Sequence, residues 1–146
     1  MFEFLESMKK YCEIIIFTAA TKEYADVILD SLEISSKLFD YRLYRQHTSF
    51  HGISIIKDLS WLGRDLNKTF IIDNIAENFK LQHSNGLHIR TWCGDIRDEE
   101  FSALQILLSH LFKSKKSTLI PYLRNLKEAY KNNNSTYVGI DPSLLK

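Results

Sequence analysis

Residues Ser54–Asn74, SIIKDLSWLGRDLNKTFIIDN, decide the fold. Within them the apolar run Phe70-Ile71-Ile72 stops abruptly at Asp73-Asn74. A strand buried on both faces reads as a continuous apolar run, not as an alternation. A strand ending in a carboxylate and an amide sets two oxygen ligands at the carboxyl edge of a sheet, where open α/β sheets bind their ligands. Lys57, which closes the shorter apolar run Ile55-Ile56, adds a cation to the same class of position.

Working outward, Cys12–Phe17 (CEIIIF) is a second β-branched apolar run and reads as a buried strand. It ends in the small residues Thr18-Ala19-Ala20, and Thr21 is the expected N-cap of a helix over Lys22–Leu32, spaced by Tyr24, Val27, Ile28 and Leu32. Strand, small-residue turn and helix together present backbone N–H groups to an anion. A helix is expected over Phe2–Tyr11, with Phe4, Leu5, Met8 and Tyr11 on one face. Leu38–Tyr44 and Thr48–Ile53 read as short extended segments, with a turn at His51-Gly52. Asp58–Arg64 reads as a short turn or helix ended by Gly63. Asn74 is the expected cap of a turn over Asn74–Phe79, and Asn85-Gly86 marks a loop before a short third strand, Leu87–Arg90. Asp95 or Asp98 should cap a long helix over Glu99–Phe112 with Phe101, Leu104, Leu107, Leu108 and Leu111 inside. A last helix over Tyr122–Lys131 precedes a polar, mobile break at Asn132–Ser135 and an uninformative tail. Alternating strands and helices argue for an α/β domain with a mainly parallel sheet.

The bulk numbers agree. The 146 residues are 45% hydrophobic and 25% charged, which suits a compact domain. A formal net charge of +1 gives no electrostatic case for nucleic acid or an anionic membrane. No apolar run reaches the roughly 18 residues that span a bilayer, and the acidic, amphipathic start does not read as a signal peptide. Cys12 and Cys93 make no disulfide framework and are read as reduced.

Thr18, Lys57, Asp73 and Asn74 thus share one location, the carboxyl ends of strands. A hydroxyl, an ammonium and oxygen ligands for a hard cation suit a phosphate bridged by Mg²⁺. Each alone has a plainer reading: a cap, a surface charge, a turn. His47 and His51 are four apart, but on an extended segment that spacing is roughly 13 Å, too far to share a metal. All five histidines are read as structural or surface. Trp61 and Trp92 are read as core packing, with substrate contact the alternative for Trp92. Cys93 is read as a packed or idle thiol, reactive only if exposed, and the pairs Lys9-Lys10 and Lys115-Lys116 as solvated helix ends.

Four motifs carry a resemblance, in order and at family-like spacing: Glu13–Asp30 with its FTA, Ile55–Leu59 (IIKDL), Leu62–Leu66 (LGRDL) and Ile71–Asn74 (IIDN). Over about residues 2–112 the chain resembles the catalytic domain of the small carboxy-terminal-domain phosphatases, the FCP-like branch of the haloacid dehalogenase superfamily. The resemblance implies a three-layer, Rossmann-like fold with a mainly parallel sheet, in one FCP-like domain over residues 1–131 followed by a tail, 132–146. It implies a Mg²⁺-dependent phosphatase acting on phosphoserine or phosphothreonine in a protein, the RNA polymerase II carboxy-terminal tail being one such substrate, through an aspartyl phosphate. Matched by position, Thr18 is the hydroxyl that binds the phosphoryl group and Lys57 the lysine that neutralises it. Asn74 is a direct Mg²⁺ ligand, Asp73 its neighbour acting through water, and Arg45 the arginine at the substrate mouth. Direct nucleic-acid or membrane partners are not implied, and nuclear or cytoplasmic residence is.

One motif departs. The family's DLDET-like segment has no counterpart, since no Asp-x-Asp lies upstream of Thr18. The chain is therefore expected to be an N-terminally truncated member lacking its first central strand, without aspartate-based turnover as given. The alternative is a non-catalytic peptide-binding scaffold, like the mitochondrial import receptor that shares this domain. A small-molecule phosphatase of the superfamily is a further rival, against which KDLSWLGRDL argues.

Overall fold

The computed structural model describes residues 1–114 and 119–145, so Lys115-Lys116 lie outside the described residues. The chain is α/β and divides into two compact units, Met1–Lys57 and Asp58–Lys146.

In the first unit, α1 (Phe2–Met8) leads to β1 (Ile15–Phe17), α2 (Lys22–Leu32) and β2 (Tyr41–Leu43), followed by the hairpin strands β3 (Ser49–His51) and β4 (Ser54–Ile56). β1 and β2 are parallel, with Ile15 opposite Tyr41 and Phe17 opposite Leu43. The expected Cys12–Phe17 strand is shorter, because the Ile14 N–H is taken by the Asp40 carboxylate at 2.8 Å. α2 starts and ends where its pattern predicts, but its buried stripe is different. Ala25 and Leu29 face inward with Leu38, Phe39 and Tyr44, and Leu32 packs against them as expected, while Tyr24, Val27 and Ile28 are exposed. Arg42 ties the layer together by donating to Asp26 at 2.9 Å, Asp30 at 2.7 Å and Glu33 at 2.5 Å. Burial alone would lower the guanidinium's pKa, but its bonds to Asp30, Glu33 and Asp26 hold it above the ordinary value. β3 and β4 pair antiparallel through a turn at Gly52, whose φ of +65° is the left-handed region that favours glycine.

The second unit runs β5 (Ile71–Asp73), β6 (Gly86–His88), α3 (Glu100–Lys113) and α4 (Ile120–Asn132), with short 3₁₀ turns between. β5 and β6 are parallel, with Asp73 opposite His88. Among the described residues the strands form three two-stranded sheets, two parallel and one antiparallel. Leu104, Leu107 and Leu108 of α3 and Leu123 and Leu126 of α4 are fully buried with Leu87, Tyr122 and Phe79, and Leu111 is nearly so. Tyr122 satisfies its hydroxyl on the Leu107 carbonyl at 2.7 Å.

Several expectations need correction. Asn74 does not cap the turn after β5. Ile75 holds that position and the Asp73 carboxylate accepts its N–H at 2.8 Å. Asn85-Gly86 is not a loop but the entry to β6. Gly86 has an ordinary φ, and glycine is needed there because a Cβ would lie 2.0 Å from the Phe79 ring. Asn85 donates to the Leu66 and Thr69 carbonyls at 2.6 and 2.8 Å. Asp98, not Asp95, accepts the Glu100 N–H at 3.0 Å where α3 begins. Trp61 and Trp92 are exposed, not core residues. The expected mobile break at Asn132–Ser135 is an ordered reversal. Asn134 and Ser135 take positive φ, and the Asn133 amide donates to the Thr136 and Val138 carbonyls at 3.0 and 2.9 Å. The tail beyond it buries Tyr137 and Leu145.

Candidate functional site

The first unit holds Thr18, Arg45 and Lys57. Thr18 follows β1 directly, and its N–H donates to Leu43 at 2.9 Å, continuing the parallel ladder. Its hydroxyl oxygen accepts the Ala20 N–H at 3.1 Å, which shapes the small-residue turn. Arg45 is brought to that turn from the other side. Its Nε donates to the Ala19 carbonyl at 2.7 Å and its N–H to the Ala20 carbonyl at 2.9 Å. Tyr44 is the buried residue that anchors this approach, its hydroxyl donating to Asp26 at 2.6 Å. Lys57 follows β4 directly and is 9% exposed, a low value for an ammonium.

An open cleft of about 490 Å³ lies beside Arg45, lined by Thr21, Lys22, Glu23, Gln46, Thr48 and Phe50 as well. Lys22 and Phe50 were not singled out by the sequence. Lys22 occupies the first turn of α2, where a surface charge is the ordinary reading, and nothing in its spacing marks the cleft. It pairs with Asp26, and its ammonium lies 5.3 Å from the centre of the Tyr44 ring. The Asp26 carboxyl is held down to about 2, first by the hydrogen bond from Lys22 and then by that from Tyr44.

The second unit holds Asp73 and Asn74, at the carboxyl end of β5. Asp73 is 5% exposed and both its oxygens accept from the buried Asn78 amide at 3.2 Å, besides the bond from Ile75. Its carboxylate therefore builds the turn that displays its neighbour. Asn74 is exposed, and its Nδ2 donates to Thr91 Oγ1 at 2.9 Å, which turns Oδ1 away from Thr91. Amide and carboxylate oxygens are the donors a hard divalent cation takes, and Mg²⁺ keeps several waters beside a few such ligands. The donor chemistry fits Mg²⁺. Among the described residues no group of three or more His, Cys, Asp or Glu is placed to hold a metal ion.

His47 Nδ1 accepts the Tyr44 N–H at 2.9 Å. Cys93 is exposed, with its Sγ 3.6 Å from the Thr91 carbonyl oxygen. Burial pushes the Cys12 thiol up to about 11, which keeps it from acting as a thiolate nucleophile.

A family model described as NLI interacting factor-like phosphatase matches residues 1–119. Among curated relatives, a "Probable C-terminal domain small phosphatase" of Dictyostelium discoideum is 38% identical over 111 residues, 76% of this chain and 36% of that protein. "CTD small phosphatase-like protein 3" of Caenorhabditis elegans is 42% identical over 101 residues, 69% of this chain and 35% of its own. "Carboxy-terminal domain RNA polymerase II polypeptide A small phosphatase 2" of Homo sapiens is 39% identical over 98 residues, 67% of this chain and 36% of its own. The chain thus spans about a third of the length of these relatives.

Proposed function

The chain belongs to the NLI interacting factor-like phosphatase family, and from that premise we propose that it is part of a Mg²⁺-dependent protein serine/threonine phosphatase of haloacid dehalogenase-like fold. Its substrate class is phosphoserine or phosphothreonine in an extended peptide, the carboxy-terminal tail of RNA polymerase II among them, met in the nucleus or cytoplasm. One observation supports the reading above the others: Thr18, Lys57 and Asp73-Asn74 each stand at the carboxyl end of a strand, β1, β4 and β5.

In the first unit, the Thr18 oxygen accepts from Ala20 and so keeps its own proton to donate to a phosphoryl oxygen. Lys57 neutralises phosphoryl charge, and its low exposure strengthens that attraction. Arg45, fixed through Nε on Ala19, turns its terminal nitrogens to an anionic or carbonyl group at the cleft. In the second unit, Asn74 would hold Mg²⁺ through Oδ1, with Asp73 behind it. Bound there, Mg²⁺ supplies Lewis-acid stabilisation of phosphoryl oxygens. The family's nucleophile belongs to an Asp-x-Asp pair, and the 146 residues contain no such pair. By this reading they bind a phosphorylated peptide and release no phosphate from it.

Titration of a phosphoserine peptide and its unphosphorylated twin, with and without Mg²⁺, tests this. The phosphorylated form should bind tighter, more so with Mg²⁺, and Lys57→Met should weaken it by roughly tenfold, the size of one charge-assisted hydrogen bond. Equal affinity for the two peptides would sink the proposal and favour the peptide-binding scaffold.

A further inference from the structure

The family match ends at residue 119, yet the chain beyond it returns to the strand pair that carries Asp73 and Asn74. Tyr137, 1% exposed, donates its hydroxyl to the carbonyl of His88, the last residue of β6, at 2.7 Å. Its N–H donates to Glu100 at 3.0 Å, and the Thr136 hydroxyl donates to the same carboxylate. Glu100, also 1% exposed, pairs with Arg90 at 2.8 Å. The tail therefore grips His88 directly and Arg90 through Glu100. Between those two residues, the Ile89 N–H donates to the Asp73 carbonyl at 3.1 Å. The next residue, Thr91, accepts the Asn74 amide at 2.9 Å.

An asparagine offers a cation its oxygen and repels it with its NH₂ group, so half a turn of the amide destroys the ligand. Something must fix that choice at an exposed residue. We propose that Thr91 orients the Asn74 amide toward a hard divalent cation, and that the Glu100–Thr136–Tyr137 clamp holds the 88–91 stretch on which Thr91 stands. Thr91 and Tyr137 are positioning residues, and the proposal rests on the reading of Asn74 as a Mg²⁺ ligand.

The test uses the 146-residue chain with Mg²⁺ alone, followed through the NMR resonances of the Asn74 side-chain amide, and with Mn²⁺ as a paramagnetic probe. In the wild type, Mn²⁺ should broaden that amide and Mg²⁺ should shift it. Thr91→Val should weaken Mg²⁺ binding by about tenfold, the lower end of what loss of an outer-shell partner costs, and speed exchange of the Asn74 amide protons. Thr91→Ser should restore both. Tyr137→Phe, which keeps the ring and removes the bond to His88, should weaken Mg²⁺ binding several-fold and broaden the Asn74 amide. If that variant does not fold, the Thr91 pair decides. No Mg²⁺ effect on the wild-type Asn74 amide overturns the ligand reading and this proposal together. Wild-type binding that Thr91→Val leaves unchanged overturns the orienting role alone, and a folded Tyr137→Phe with wild-type affinity overturns the clamp.

Discussion

Gly86 and Asp26 show how single residues are constrained for reasons their neighbours in sequence do not reveal. A methyl group at Gly86 would meet Phe79 ring atoms at 2.0 and 2.1 Å, and that ring is 2% exposed with nowhere to go. Gly86→Ala should cost about 1–3 kcal/mol, the usual price of overpacking a filled core, seen as a lower urea midpoint at unchanged slope. Asp26 gives a pH dependence. Its folded pKa is depressed from 3.8 to about 2 by Lys22 and Tyr44. A depressed carboxylate contributes stability that is present above the unfolded value and is lost as pH falls through the folded one. Thermal melts from pH 5 down to about 2 should therefore lose stability in the wild type, and Asp26→Asn should flatten that loss. Equal slopes for the two proteins would defeat the assignment.

Among elements, α3 was the most legible. The spacing of Phe101, Leu104, Leu107, Leu108 and Leu111 predicts one buried stripe; the four leucines are 4% exposed or less, and Phe101, in the first turn, is half-buried. Leu108→Ala should cost about 2–5 kcal/mol by the cavity it leaves, measured by denaturant unfolding. α2 was legible only in its bounds. Tyr24, Val27 and Ile28 obey helical spacing yet are exposed, and the interior takes Ala25 and Leu29 with Leu32 against them, because helical spacing says that a helix has an inner face and not which of two apolar stripes will be covered. The motif residues of KDL and LGRDL have structural duties as well. Asp58 and Asp65 accept the N–H groups of Ser60 and Asn67 at 2.9 Å, and Gly63 takes φ +63° to end a turn. These duties could be read from local chemistry, since an Asp two residues before an N–H it caps needs no distant partner.

For the whole molecule, charge and composition make the broadest statement. With 19 basic and 18 acidic residues the chain should not retard duplex DNA at about 0.15 M salt, where binding depends on phosphate neutralisation. Retardation by sub-micromolar protein in a gel-shift assay would contradict that. The sequence alone determined the order of the main strands and helices, the apolar runs that become β1 and β5, and the family, because those depend on periodicity, β-branching and short motifs. Only the tertiary structure decided that the residues after 132 fold back, that Glu100 is a buried carboxylate with Arg90, Thr136 and Tyr137 as partners, and that Thr91 meets Asn74. Those contacts join groups 10 to 37 residues apart, from 90–100 to 100–137, and no local spacing encodes them. They exist because a buried carboxylate and a strand-end carbonyl must find donors somewhere, and the packed chain supplies the ones that come within reach.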